Sequence, residues 1–174
     1  MKQVIILRHA NWNLVDDQLT AEGRGQCAER KPGLGSFVLA LSSPLGRTQE
    51  TAALLSGQEA TVDDRASIPK TPPEFGPQIA ELRKTHPFGV AGAIISIPEL
   101  REPLRQQGQA LKALVAETLD KLADGQRALI VSHDGTMVGL EKVLTGAPFD
   151  SIDHTYGELE GFGVNENLEL TRLQ

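Results

Sequence analysis

The chain has 174 residues, 40% hydrophobic and 23% charged, a composition that suits one soluble domain with a buried core. Its net charge of −6, without a long basic run, argues against a nucleic-acid partner. The single cysteine, Cys27, excludes an intrachain disulfide and a cysteine-rich metal site. The N-terminal apolar run is too short for a signal peptide, and no run reaches the roughly 20 residues that span a bilayer, so we expect a cytoplasmic protein that binds no membrane.

The first half of the chain alternates between short apolar runs and segments that begin like helices. In chain order we predict a strand over residues 3–7, a helix over 21–30, a strand over 36–41 and a helix from 44 to about 55. Thr20 is predicted to cap the first helix, and Pro32 with its neighbours to end it. Ser43 is predicted to cap the second helix, with Pro44 at its first position.

The middle of the chain, residues 63–98, contains six prolines and is predicted to be a loop-rich insertion with one short helix over 78–85. Beyond it we predict a helix over 104–123, a strand over 128–132, a helix over 136–144 and a terminal hairpin of strands 160–164 and 168–173. The alternation of strands and helices predicts a single domain over residues 1–174. Its fold class is α/β, a three-layer α/β/α sandwich with a mostly parallel central sheet.

Basic and histidine side chains follow three of the predicted strands. In parallel sheets, functional groups gather beyond the carboxyl ends of the strands, where His9, Arg47 and His133 would meet. A neutral imidazole can attack phosphorus and hold the phosphoryl group, which makes His9 a candidate nucleophile. Arg8 and Arg47 offer guanidinium groups that match phosphate oxygens, and His133 can donate a further hydrogen bond.

Each of these residues also has a simpler interpretation. A lone histidine after a strand, such as His9, is more often structural than catalytic. Arg47 runs against the helix dipole in the first turn of its helix, which favours a role in binding an anion. His133 and Asp134 together suggest a metal site only weakly, because the chain has four histidines and no repeated ligand spacing.

Four segments in the same order resemble the histidine phosphatase superfamily, the phosphoglycerate-mutase-like proteins. They are Arg-His-Ala at 8–10, Leu-Thr-Ala-Glu-Gly-Arg-Gly-Gln at 19–26, Ser-Ser-Pro-Leu-Gly-Arg-Thr-Gln-Glu-Thr-Ala at 42–52 and Val-Ser-His-Asp-Gly at 131–135. The resemblance covers residues 1–55 and 126–173 well and the middle poorly. It implies that His9 is the phosphorylated nucleophile and that Arg8, Arg47 and His133 form the phosphate pocket.

The chain departs from the family pattern at three positions. Ala10 replaces the usual glycine after the nucleophile, and Asn11 replaces the usual glutamate. We expect the side chain of Asn11 or of Asn13 to reach a phosphate oxygen, and we take Asn11 as the candidate substrate-binding residue. Asp134 stands where a small or apolar residue is usual, and we expect its carboxylate to point away from the phosphate.

The leaving group of a phosphate ester needs a proton donor. Comparison with family members assigns this role to Glu74 in the insertion, where Phe75 would desolvate its carboxyl. An exposed loop glutamate is an equally good interpretation of Glu74. Other candidate acids are Glu81, Asp63 and Asp64.

The resemblance implies a phosphatase that hydrolyses a small phosphomonoester through a phosphohistidine intermediate. It implies no metal and no organic cofactor, since arginines and histidines supply the charge. A mutase is disfavoured because the chain is short. The alternatives are a protein phosphohistidine phosphatase and a phosphate-binding regulatory module without turnover. The oligomeric state stays open, as does whether residues 86–98 form a lid or an interface.

Overall fold

The computed structural model describes residues 1–173, so Gln174, the last residue of the predicted domain, lies outside the described residues. The strands are β1 (Gln3–Arg8), β2 (Leu39–Ser42), β3 (Thr61–Val62), β4 (Arg127–Ser132), β5 (Gly161–Asn165) and β6 (Leu170–Arg172). The α-helices are α1 (Ala21–Leu34), α2 (Gly46–Ser56), α3 (Gly76–Thr85), α4 (Gly89–Ser96), α5 (Arg101–Lys121) and α6 (Asp134–Thr145).

The six strands form one sheet in the order β3-β2-β4-β1-β5-β6. The first four strands in this order run parallel, and β5 and β6 are antiparallel to their neighbours. The predictions of a mostly parallel sheet and of a terminal hairpin are therefore confirmed. Arg8 pairs with Ser132, and Ser42 pairs with Val131. The carboxyl ends of β1, β2 and β4 consequently lie side by side at one edge of the sheet.

Alternate residues of β1 point into two separate hydrophobic cores. Val4 and Ile6 join the core that is covered by α4, α5 and α6, whereas Ile5 and Leu7 join the core that is covered by α1 and α2. This alternation follows from the two-residue period of a strand. It confirms the predicted three-layer α/β/α sandwich. Within residues 1–173, no helix has both the length and the apolar character needed to cross a membrane.

The predicted end of α1 and the predicted start of α2 were wrong. Helix α1 continues through Pro32 to Leu34 and ends at Gly35, whose φ is 73°. A proline in the last turn removes only one backbone hydrogen bond, and the helix places Leu34 in the core with 3% exposure. Helix α2 begins at Gly46 instead of Pro44, with Leu45 at its N-cap position. Ser43 is therefore not a helix cap.

The insertion contains more regular structure than the sequence predicted. Helix α3 confirms the predicted short helix, but α4 was missed. Residues 91–95 of α4 are all buried, so the helix shows no polar face that would reveal a helical period. Helix α4 packs into the core that contains Ile94 and Leu104. Most of the apolar side chains of α4 are therefore buried within their own domain.

Candidate active site

His9 lies immediately after β1, at the sheet edge where three parallel strands end. Its backbone N–H donates to the Ser132 carbonyl at 3.2 Å, which joins it to the end of β4. The next residue of that chain segment, His133, faces it with a ring-centroid distance of 5.3 Å. His9 is 4% exposed and His133 is 5% exposed. The structure thus brings the two predicted histidines together in a buried pair.

The hydrogen bonds of His9 define its tautomer. The Nδ1 atom lies 2.9 Å from the carbonyl oxygen of Ala10, which can only accept, so Nδ1 carries the proton. Nε2 is therefore the unprotonated ring nitrogen, and its lone pair accepts a hydrogen bond from Arg47 Nε at 3.2 Å. A nucleophile requires this arrangement, because the attacking nitrogen must be unprotonated.

The guanidinium of Arg47 is held on several sides. Its position at the start of α2 places it beside His9, and its central carbon lies 4.0 Å from the ring centroid of Trp12. Its Nη1 atom donates to Asp17 Oδ1, while Asp17 Oδ2 accepts from the Gly46 N–H at 2.6 Å. These contacts fix the orientation of Arg47 before any substrate binds.

Arg8 is positioned by a different part of the chain. Its Nη1 donates to the backbone carbonyl of Tyr156 at 2.7 Å. Its Nε is buried and has no hydrogen-bond partner within residues 1–173. An unsatisfied buried donor costs free energy, and a phosphate oxygen would remove that cost. This feature agrees with the predicted anion-binding role of Arg8.

Ser43 orients His133 instead of capping a helix. Its Oγ lies 2.9 Å from His133 Nε2 and 2.7 Å from Thr48 Oγ1. Both hydroxyl groups are buried, so these hydrogen bonds fix the imidazole ring. The sequence suggested a helix cap because a serine before a proline is a common start signal for a helix.

Burial is the main cause of the lowered pKa values of both histidines. It lowers the pKa of His9 to about 4, with further lowering by the charges of Arg47 and Arg8. Burial likewise lowers the pKa of His133 to about 2, assisted by His9 and the same two arginines. Both imidazoles are therefore neutral at pH 7, and Nε2 of His9 is unprotonated, with its lone pair accepting from Arg47 Nε.

These groups line one end of a cavity of about 500 Å³, which we call the active-site cavity. The opposite wall is largely apolar and comes mainly from the insertion. The side chains of this wall include Ile68, Pro69, Ile79, Phe88, Val90 and Ile94. A volume of this size is typical of sites for small molecules.

The structure does not bring every predicted residue to the cavity. Glu74 lies in a short exposed 3-10 helix, Pro73–Phe75, and is not among the residues that line the cavity. Asn11 also lies outside the lining, because its side chain donates to Glu158 at 3.0 Å and accepts from Thr20 at 2.6 Å. The contact of Asn11 with Glu158 joins residues that are 147 positions apart, so the sequence does not reveal it.

The other three candidate acids of the insertion, Glu81, Asp63 and Asp64, form ion pairs outside the cavity or face solvent. Glu81 pairs with Lys84 at 2.7 Å, and Asp63 pairs with Arg65 at 2.8 Å. Asp64 is exposed. None of these carboxylates lines the active-site cavity.

Asp134 is among the residues that line the cavity, and the expected direction of its carboxylate, away from the phosphate, stays a prediction. Its Oδ1 accepts hydrogen bonds from Thr155 Oγ1 and from the Tyr156 N–H, the latter at 3.0 Å. It thereby holds the segment whose Tyr156 carbonyl orients Arg8. Within residues 1–173, no group of three or more His, Cys, Asp and Glu side chains is placed to hold a metal ion.

Sequence reasoning missed two residues of the site. Trp12, the only tryptophan of the chain, packs against both Arg47 and His9, with a ring-centroid distance of 6.0 Å to His9. Its position, three residues after the predicted nucleophile His9, could have indicated that Trp12 lies near the site. Asp17 gave none, because a carboxylate in a polar loop has no feature that would predict its contact with Arg47.

The family model for the histidine phosphatase superfamily (branch 1) matches residues 4–160. The chain belongs to this superfamily. The match spans the insertion as well as the segments around His9, Arg47 and His133. The resemblance that the four motifs suggested is thereby confirmed.

Solved structures of superfamily proteins share the fold of the whole chain. A mycobacterial glucosyl-3-phosphoglycerate phosphatase in complex with VO3 has 19% identity and a TM-score of 0.65, with 99% of this chain and 98% of that chain covered. YhfR from Bacillus stearothermophilus has 21% identity and a TM-score of 0.67, with coverage of 99% and 95%. Phosphoglycerate mutase from Bacillus anthracis has 16% identity and a TM-score of 0.65, with coverage of 98% and 92%.

No curated protein matches the chain. The named structural relatives include both phosphatases and mutases, and at these identities the likeness concerns the fold alone.

Proposed function

We propose that the protein is a phosphatase that hydrolyses a small phosphomonoester through a phosphohistidine formed on His9. The observation that carries this proposal is the lone pair on Nε2 of a neutral, buried His9, placed beside the guanidinium of Arg47. Arg8 and His133 line the same end of the active-site cavity. The four groups provide a nucleophile and an anion-binding surface at one point.

The proposed reaction has two displacements at phosphorus. In the first, Nε2 of His9 forms a bond to phosphorus, the bond between phosphorus and the ester oxygen breaks, and the released oxyanion takes a proton from solvent water. In the second, water attacks the phosphohistidine, the N–P bond breaks, and inorganic phosphate is released. Arg8, Arg47 and His133 stabilise the charge on the phosphoryl oxygens in both steps.

The identity of the proton donor influences which substrates are favoured. Glu74 lies outside the cavity lining, and the only carboxylate among the lining residues is Asp134. The proposed chemistry therefore favours leaving groups that are stable as anions, such as phenolates, which depend less on protonation. The same observation favours a second candidate function, a protein phosphohistidine phosphatase, because imidazole is also a good leaving group.

The test is the release of p-nitrophenol from p-nitrophenyl phosphate between pH 5 and 8, with His9→Ala as the comparison. We expect the wild-type protein to release product without sensitivity to EDTA, and His9→Ala to lose at least about 10³-fold in kcat. Rapid quenching at alkaline pH should trap a phosphoryl group on His9, detectable by mass spectrometry of the intact protein and its peptides.

The outcome that contradicts the proposal is an absence of His9-dependent release from this ester and from a panel of phosphometabolites. Turnover of a phosphohistidine peptide alone would instead support the second candidate. Unchanged thermal unfolding of His9→Ala would show that the loss of activity does not come from loss of the fold.

A further inference from the structure

We infer that the substrate of this site carries a single phosphate on an apolar body. This inference rests on the proposed function and adds the class of substrate. It comes from the division of the active-site cavity into a cationic end around His9 and a wall of apolar side chains that faces it.

The cationic end has positive charge for only one anionic group. Within the described residues 1–173, the only arginine or lysine side chains that line the cavity are Arg8 and Arg47, both beside His9. Arg47 already shares its charge with Asp17. A carboxylate or second phosphate on the substrate body would find no further cation, and it would approach the carboxylate of Asp134. Bisphosphates and phosphoglycerates are therefore poor substrates.

The apolar wall contains side chains that lack a partner. Ile68 is 49% exposed and Val90 is 43% exposed, although both are large aliphatic residues and both line the cavity. Phe88 lines the same cavity, and Trp12 adds apolar surface next to Arg47. A ring placed against this wall would remove water from these side chains, and the burial of apolar surface favours binding.

Contacts within the insertion hold Phe88 in place at the wall. The Nδ1 atom of His86 accepts a hydrogen bond from the Phe88 N–H at 3.2 Å, and the two rings lie 5.8 Å apart. Helix α4 packs so closely on His86 that a Cβ at Gly92 would lie 1.9 Å from the His86 ring. These contacts fix Phe88 and Val90 at the cavity, so little order has to be gained on binding.

The experiment compares two esters with similar leaving groups, because leaving-group chemistry would otherwise hide the effect of binding. Both 3-phenylpropyl phosphate and glycerol 1-phosphate release a primary alcohol. We expect kcat/KM to be at least about tenfold higher for the phenylpropyl ester, mainly through a lower KM, and 3-phosphoglycerate to be hydrolysed more slowly than either.

Two variants test the wall itself, and a third serves as the control. Ile68→Ser and Val90→Ser should each lower the ratio of kcat/KM for the phenylpropyl ester to kcat/KM for glycerol 1-phosphate by about threefold to tenfold. Val38→Ser is the matched control, because Val38 is 46% exposed and does not line the cavity. A preference for glycerol 1-phosphate or 3-phosphoglycerate, or a ratio that neither wall variant changes, would overturn the inference.

A binding measurement separates this inference from the proposed function. Trp12 is the only tryptophan and lines the cavity, so its fluorescence reports on ligands there. We expect 3-phenylpropylphosphonate, which cannot be hydrolysed at its P–C bond, to bind at least about tenfold more tightly than a glycerol phosphonate. This result would support the substrate class even if no ester is turned over. Equal or reversed affinities would contradict it even if the protein is a phosphatase.

Discussion

The carboxyl edge of the sheet and the wall of the insertion form opposite sides of one cavity, but they are built differently. At the sheet edge, His9 and His133 are almost fully buried and are fixed by hydrogen bonds to Ala10 and Ser43. At the wall, the side chain of Val90 is nearly half exposed, and it can offer a ligand only apolar contacts. Chemistry requires fixed atoms, whereas selectivity requires an open surface that a ligand can cover.

The largest expected effect that separates these two regions comes from Arg47→Ala. Loss of the guanidinium beside His9 should lower kcat/KM by about 10²- to 10³-fold for every substrate, because all substrates share the phosphoryl group. Arg47→Lys should recover only part of this loss, since an ammonium cannot form two parallel hydrogen bonds. Steady-state kinetics on the phenylpropyl and glycerol esters provide the measurement.

Arg105→Ala is the control for this change, because Arg105 is exposed and pairs only with Glu102 at 3.7 Å among the salt bridges of the described chain. It should keep full activity. Arg47→Ala should leave the ratio of kcat/KM for the two esters nearly unchanged. If it changed this ratio as strongly as Val90→Ser does, the assignment of catalysis to the sheet edge and of selectivity to the wall would be wrong.

The next effect is a pH dependence of the free energy of unfolding, and it comes from the buried histidines at the sheet edge. Because burial lowers the pKa of His9 to about 4, the unfolded chain binds more protons than the folded protein between about pH 6.5 and pH 4. The free energy of unfolding should therefore fall as the pH drops through this window, by on the order of 1–2 kcal/mol for His9 at pH 5. The lowered pKa of His133 acts in the same direction.

Urea unfolding at pH 7.5 and pH 5 measures this dependence. His9→Asn should lose less stability than the wild type over this interval, because it removes one group that must be kept neutral. His154→Asn is the control, since His154 lies outside the cavity lining and makes its own contacts with Glu141 and Asp153. An equal loss in His9→Asn and wild type would show that His9 does not contribute.

The smallest expected effect is that of Glu74→Gln. Because Glu74 is exposed and outside the cavity lining, we expect less than about a twofold change in kcat on p-nitrophenyl phosphate and on the phenylpropyl ester. Glu81→Gln, another exposed glutamate of the insertion, is the matched control. A tenfold loss that affects the phenylpropyl ester and spares the nitrophenyl ester would restore Glu74 as the proton donor.

The sequence was sufficient for the features that depend on local order along the chain. Short continuous apolar runs, followed by polar residues, predicted β1 and β4 and placed His9 and His133 at their carboxyl ends. Parallel pairing then had to bring these ends together, because neighbouring parallel strands finish at the same edge. Arg47 followed from its place in the first turn of the next helix.

The tertiary structure decided the features that depend on contacts between distant residues. Ser43 binds His133, which lies 90 positions away in the chain, so a local signal could suggest only a helix cap. Pro32 stays within α1 because Leu34 is buried among residues of other elements. The apolar wall at Val90 and the position of Glu74 outside the cavity have the same origin, since the path of the insertion is set by what it packs against.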